Sequence, residues 1–376
     1  MLQVWMGYTT QAPSPLVGQT HRLVIVATIW SRRPGRLYCA AMDLTSRCVL
    51  CLSLAGLASG CTGLNLQMVD RSVQKPSNIA VYFTVDTTRG DPVPDLRPED
   101  FHIYEDDHPV SVYESRQTIL QPEVAAAYYA LLLVDMSGSV VGSPEVNQLV
   151  EAAASFSKRV GSNHKLAVYA FDGSAHITPI SGFGAPNAEA AINSLAWYKP
   201  KDPSTNLNGA VVEAIKILDR QMDRATVPLR FGTLVVFTDG TDHAGRVTTQ
   251  TMREAVAEAP IDLYAIAVGG EVNDAEVRAI GRSGTFTSKN PQDITRGFEE
   301  IGRRVEGFSH RYYLLSYCSP ARAGQHQVEI EAVKGRMRGR LSYDFKADGF
   351  TPNCDPNQKP AFNVHRPRMQ RPATAK

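Results

Sequence analysis

Four stretches of this chain are apolar almost without a break: Tyr128 to Val134, Leu166 to Phe171, Leu234 to Thr238 and Leu263 to Val268. Runs of that length with no polar alternation fit strands covered on both faces. Between them the period changes to that of a helix. Val146, Leu149, Val150, Ala153 and Phe156 recur at helical spacing behind Ser143-Pro144-Glu145, which supplies an N-cap, a first-turn proline and an acid. Val211, Ala214, Ile215 and Leu218 form a second apolar stripe. This alternation over residues 126–308 predicts an α/β fold, a doubly wound and mainly parallel Rossmann-like sheet.

On either side the period is two. Val81, Phe83 and Val85 alternate with Tyr82 and Thr84, as in a half-buried strand. Phe101 and Ile103, then Val110 and Val112, suggest two more strands around the turn at Glu105-Asp106-Asp107-His108-Pro109. After Arg311, three further strands are expected around Tyr313 and Leu315, Val328 to Ala332, and Leu341 to Phe345. Segments 79–120 and 310–346 are expected to join in one small β-sandwich-like module with 126–308 inserted between them, the alternative being two separate β pieces. Residues 61–78 read as a polar tether. Residues 351–376, with several prolines and with Lys359, Arg366, Arg368 and Arg371 but no apolar period, read as a mobile basic tail.

The ends of the apolar runs carry the candidate chemistry. Asp135-Met136-Ser137-Gly138-Ser139 directly follows the first, aiming one carboxylate and two hydroxyls at a common point past a turn that Gly138 permits. Thr205 opens the second helical stripe, and Asp239-Gly240 ends the third apolar run. Ligands of such sheets sit beyond the strand C-termini. A set of carboxylates and hydroxyls with no sulfur or imidazole suits a hard cation.

Asp135-x-Ser137-x-Ser139, Thr205 and Asp239-Gly240, in that order, resemble the metal-ion-dependent adhesion site of von Willebrand factor A domains. The resemblance covers roughly residues 126–308. It implies that Ser137 and Ser139 bind Mg²⁺ (or Mn²⁺ or Ca²⁺) directly, that Thr205 does so when a ligand is engaged, and that Asp135 and Asp239 bind directly or through water. Two carboxylates only balance a divalent charge, which leaves the ion able to take an acidic group from a partner protein or other macromolecule. Asp172 and Asp242 lie near the same rim in sequence and are candidate outer residues, though ordinary loop acids fit them as well. The segment at 79–120 resembles the β module that precedes the A domain in some bacterial A-domain proteins.

The N-terminal region suggests export. Arg47, the apolar run Cys48 to Ala58, then Ser59-Gly60-Cys61 have the order of a secretory signal and resemble a bacterial lipobox with Cys61 as the lipid-modified residue. Residues 42–60 would then be the signal, with Met42 a better start than Met1 and residues 1–41 an upstream extension. The product would be anchored by lipid to the cell envelope, on the periplasmic or surface side, at the outer membrane if the cell is Gram-negative. Processing would leave Cys318 and Cys354, most simply a disulfide in an exported protein, with two free thiols the alternative.

Composition then excludes several classes. The formal net charge is +1, and removing the first 60 residues leaves 34 basic against 37 acidic side chains, so no basic face for nucleic acid is expected. There is no H-E-x-x-H, G-x-S-x-G or P-loop. The favoured reading is a non-enzymatic protein that binds a macromolecule through its metal. Alternatives are an assembly subunit whose metal only stiffens the fold, and a metal-dependent hydrolase.

Overall fold

The apolar run that ends at Asp135 becomes the centre of a six-stranded sheet because both of its faces are covered. All ten of its residues are buried. The protein is described by a computed structural model over residues 63–270, 272–364 and 366–367; the signal segment and Cys61 lie outside the described residues. In chain order its strands are β1 (Leu64–Gln74), β2 (Asn78–Thr87), β3 (Phe101–Glu105), β4 (His108–Val110), β5 (Thr118–Leu120), β6 (Ala126–Asp135), β7 (Lys165–Phe171), β8 (Thr178–Ser181), β9 (Leu229–Thr238), β10 (Asp262–Val268), β11 (Gly284–Ser288), β12 (Tyr312–Cys318), β13 (Gln325–Lys334) and β14 (Met337–Lys346). The helices are α1 (Gly138–Val141), α2 (Val146–Gly161), α3 (Ala188–Asn193), α4 (Leu207–Asp223), α5 (Thr249–Glu258), α6 (Asp274–Ile280) and α7 (Ile294–Ser309).

The central sheet has the order β11-β10-β9-β6-β7-β8. On one face, Leu149, Val150, Ala153 and Phe156 of α2 pack with Phe298, Ile301 and Val305 of α7. On the other, Leu207, Val211, Ala214 and Leu218 of α4 pack with Met252 and Val256 of α5. The expected apolar stripes are therefore the faces that cover the sheet.

The expectation of a mainly parallel, Rossmann-like fold is corrected by the pairings. Neighbours from β11 to β7 run parallel, but β8 returns antiparallel along β7, so this sheet is mixed. The other two sheets, β1-β2-β12-β5 and β14-β13-β3-β4, are antiparallel throughout. Antiparallel pairings thus outnumber parallel ones. The physical reason is the share of chain spent outside the α/β segment. Short hairpins connect most of those flanking strands, and a hairpin can only join antiparallel neighbours.

The flanking strands meet across the intervening α/β segment. β2 pairs with β12, and β3 pairs with β13. Ile79, Val81, Phe83 and Val85 face Phe101, Ile103, Val328 and Ile330 in one core shared by the two antiparallel sheets. The sequence suggests a strand with one wet face at 79–85, yet Tyr82 is fully buried and Thr84 nearly so. The second face of β2 docks on the base of the α/β segment, where Tyr82 stacks on Tyr312 (5.5 Å) and Tyr128 stacks on Phe231 (5.0 Å). The Tyr82 and Tyr128 hydroxyls hydrogen-bond to each other, as buried tyrosines require.

Two boundaries also differ from the expectation. The supposed tether is largely strand β1, paired with β2 from Leu64–Thr87 to Gln74–Asn78, with Leu64 and Leu66 in the sandwich core. The segment from Thr351 to Val364 is packed rather than free. Cys354 is joined to Cys318 by a disulfide, and the buried Phe362 enters the aromatic cluster at the base. Arg366 then ion-pairs with Asp219 and Asp223 on α4. Among the described residues no helix is long and apolar enough to cross a membrane.

His164, just before β7, has both ring nitrogens buried without a hydrogen-bond partner, and its ring lies edge-on to Tyr128 at 5.7 Å. Burial lowers its pKa to about 4. Between that value and the ordinary 6.5 the unfolded chain takes up a proton that the folded chain refuses, so stability must fall as pH falls through this window. Urea unfolding should therefore show about 2 kcal/mol more stability lost between pH 7.5 and pH 5 in the wild type than in His164→Phe. Equal losses would contradict the burial of a neutral imidazole.

Candidate metal centre

β6 and β9 are adjacent and parallel, with Val134 opposite Phe237. Their last residues therefore bring Asp135 and the Thr238-Asp239 step to the same edge of the sheet. This edge is where the chain order of the parallel strands diverges, which is where such sheets leave a crevice.

Asp135 is fully buried. The Ser137 N–H donates to its Oδ1 at 2.9 Å and the Thr238 hydroxyl donates to its Oδ2 at 2.7 Å. Even so, desolvation, reinforced by the nearby charge of Asp239, pushes its carboxyl up to about 7. Two like charges held together in a buried place favour a cation between or beside them.

Ser137 is fully buried at the N-cap of α1, and its Oγ lies 3.2 Å from the Oγ of the exposed Ser139. The turn is tied down at both sides. Met136 N–H donates to the Phe171 carbonyl and Gly138 N–H to the Pro203 carbonyl, each at 2.8 Å. A Cβ on Gly138 would lie 2.9 Å from the Pro203 Cβ, so the close approach of these loops needs glycine there.

Thr205 is buried and precedes α4. Its carbonyl accepts from the N–H groups of His243 and Ala244, at 2.9 and 3.0 Å, which fastens the Thr205 loop to the loop after Asp239. Ser139, Thr205 and half-buried Asp239 line one cavity of about 470 Å³. Asp135 and Ser137 do not line it but adjoin it through the contact of the Ser137 and Ser139 hydroxyls. The five residues named from the sequence thus come together at one strand edge.

Asp172 and Asp242 have other employment. The Asp172 carboxylate accepts from the Ser174 and Lys201 N–H groups and from the Tyr198 hydroxyl. Asp242 accepts from the N–H groups of Asn208 and Gly245. Both brace loops, and neither lines the cavity.

Several bracing residues give no sequence signal. Asp202 accepts from the Ser204 hydroxyl (2.7 Å) and N–H (3.0 Å) and pairs with Arg246 at 3.0 Å; these donors, Ser204 first, hold its carboxyl below the ordinary value. Arg246 Nε also donates to the Gly173 carbonyl at 2.6 Å. Gly173 could not carry a side chain here, because its Cβ would fall 2.1 Å from the Ser204 Oγ. Asn206 caps α4 by accepting from Gly209 N–H. Thr238 was findable, since it directly precedes Asp239.

The donor set fits a hard divalent cation: two carboxylates and three hydroxyls, with no sulfur or imidazole among them. Among the described residues, no group of three or more His, Cys, Asp and Glu side chains is placed to hold a metal. Any metal at this edge would therefore depend on the hydroxyls.

Asp135→Asn keeps the shape and the Ser137 N–H bond to Oδ1 while removing one of the two crowded charges; its amide N–H donates to the Thr238 hydroxyl, whose own proton turns to the Gly240 carbonyl. In EDTA, this variant should unfold in urea with a stability equal to or above wild type. A loss above about 2 kcal/mol would contradict the reading of Asp135 as a charge held against its own preference.

The sequence profile of the von Willebrand factor type A domain matches residues 131–300. No curated protein sequence matches the chain. Among solved structures it is similar to the von Willebrand factor type A protein of Catenulispora acidiphila (11% identity, TM-score 0.39, over 76% of this chain and 74% of that one). It is also similar to manganese-loaded TRAP protein of Plasmodium vivax (12% identity, TM-score 0.41, over 63% and 98%). A third likeness is to the pilus adhesin SpaC of Lactobacillus rhamnosus GG (8% identity, TM-score 0.39, over 75% and 48%). The profile match shows that residues 131–300 form a domain of the von Willebrand factor type A superfamily.

Proposed function

We propose that this protein is an exported, non-enzymatic binding protein, held to a cell envelope by lipid on Cys61, that captures a macromolecular partner through a divalent cation of the Mg²⁺ type. The observation that carries this reading is the grouping of Asp135, Ser137, Ser139, Thr205 and Asp239 at one strand edge, with Ser139, Thr205 and Asp239 lining one cavity. These five residues would hold the ion, and when bound it would supply an electrophilic position for a partner carboxylate. The chain's own part is to keep the ligand oxygens fixed before the partner arrives. The Thr238 hydroxyl orients Asp135, and the carbonyl bonds at Pro203 and Thr205 hold the three loops together.

Export is supported by the signal-like segment ahead of Cys61 and by the Cys318–Cys354 disulfide, a bond that persists in oxidising compartments. The site favours a protein or polymer that offers an acidic group.

The test is a pull-down from envelope extract in Mg²⁺ against EDTA, with calorimetry on the same variants. Mg²⁺ or Mn²⁺ should bind at one site, and Asp135→Ala and Asp239→Ala should each abolish that binding. Thr205→Ala should keep the fold and most of the metal affinity while reducing partner capture tenfold or more, because Thr205 is expected to ligate mainly in the engaged state. Capture that survives EDTA and all three substitutions would leave the metal, if bound, as a stiffener of the fold and favour an assembly subunit.

A further inference from the structure

β1 enters the fold between two turns. A Cβ on Gly63 would lie 3.4 Å from the Arg338 carbonyl and 3.4 Å from the Thr88 Cγ2, and the Thr88 N–H donates to the Gly63 carbonyl at 3.0 Å. One turn joins β13 to β14 at Gly335, and the other follows β2 at Thr88-Arg89-Gly90. Gly335 has a φ of 62°, and a Cβ there would meet nothing within 4 Å, so the first turn projects clear of the fold. Cys61 precedes Gly63 by two residues, and two residues of chain reach about 7 Å at most. A membrane that holds lipid on Cys61 is therefore held against these two turns.

Both turns carry arginine. Arg89 and Arg336 are exposed, and among the described residues neither forms an ion pair. The Arg338 side chain is 64% exposed and lies 3.4 Å from the Glu331 carboxylate. Two exposed acids, Asp91 and Asp95, share the corner. Asp91 accepts from the Thr87 hydroxyl at 3.3 Å, and the Lys334 Nζ donates at 2.7 Å to the carbonyl of Pro94, the residue before Asp95. Arginine carries its charge several bonds farther from the backbone than aspartate does. A surface arriving here meets guanidinium first, and guanidinium pairs bidentately with phosphate.

We propose that these two turns are the membrane-facing surface of the protein, with Arg89, Arg336 and Arg338 resting on the anionic headgroups of the bilayer that holds Cys61. This rests on the lipid anchor proposed above and adds which face meets the lipid. The contact lies within a Debye length of the headgroups and weakens as salt rises. It also places the metal edge. Gly307, near the end of α7, approaches this corner, its Cβ position 3.6 Å from the Pro92 Cγ. Ile294, at the start of α7, lines the cavity with Ser139, Thr205 and Asp239. The helix between Ile294 and Gly307 is about 20 Å long, which keeps the metal edge about that far from the lipid contact.

The experiment places the whole exported chain in vesicles of phosphatidylcholine, alone or with phosphatidylglycerol added, and reads amide hydrogen exchange. Mass spectrometry of the same sample reports whether Cys61 carries lipid. Exchange at residues 88–90 and 335–338 should slow several-fold in the phosphatidylglycerol vesicles relative to phosphatidylcholine alone, and high salt should remove the difference. Arg89→Gln combined with Arg336→Gln should also remove it, with Mg²⁺ affinity unchanged because both lie far from the metal edge. Arg336→Gln alone, at the projecting turn, should reduce the difference at 335–338 and serves if the double variant does not fold. Equal exchange in the two kinds of vesicle, on a chain that carries lipid, would overturn the proposal and leave the anchor standing. Slowing confined to another face of the molecule would overturn it in the same way. A mature chain without lipid on Cys61 would overturn the anchor, and this proposal with it.

Discussion

Asp135 is a carboxylate with no access to water, close to the charge of Asp239, at the end of a strand whose ten residues are all buried. Burial and a like charge both oppose its ionised form. Much of the surrounding architecture makes sense as what holds such a group in place. The Ser137 N–H and the Thr238 hydroxyl each take one of its oxygens. The loops that carry these donors are in turn fastened to one another through Phe171, Pro203 and Thr205 carbonyls. Glycine at 138 and 173 is a consequence of that fastening, because the loops pass too close to admit a side chain.

The same economy shapes the other end of the sheet. The base of β6 and β9 is covered by the outer face of β2, whose Tyr82 sits among Tyr128, Phe231 and Tyr312. Tyr128 and Asp135 are seven residues apart on one strand, about 23 Å at the usual rise. The antiparallel sheets thus cover the base and leave the strand C-ends free. The segment after Thr351 reinforces the junction, with Phe362 in the aromatic cluster and Arg366 on α4.

The parts of this arrangement that the sequence reveals are those with a strong period or a short motif. The buried strands at 128–134 and 234–238 and the stripes of α2 and α4 are readable because both covering faces repeat. The five residues stand out as candidates because Asp135, Ser137, Ser139 and Asp239 follow such runs and Thr205 opens the stripe of α4. The sequence misleads where one pattern serves two structures. Tyr82 and Thr84 look like a wet face, since polar-tipped aromatics and hydroxyls occupy either environment. Leu64 and Leu66 alternate properly but are too few to outweigh their polar neighbours. The tail from Thr351 lacks any period because it packs through isolated anchors, Cys354, Phe362 and Arg366, rather than through an element. Asp202 and Arg246 brace the site through contacts across 44 residues of sequence, which no local pattern records. The parallel run of the α/β segment does not describe the chain as a whole, because among the described residues six of the eleven strand pairings lie outside that segment and all six are antiparallel.

The central claim is that oxygens from three loops converge on one cation at the ends of β6 and β9. Crystals of the exported chain grown with Mn²⁺ test it directly through anomalous scattering at the manganese edge. The account predicts one strong peak, bonded to the hydroxyls of Ser137 and Ser139 and flanked by the carboxylates of Asp135 and Asp239. A fully occupied manganese elsewhere, or no peak at this edge at saturating metal, would contradict it.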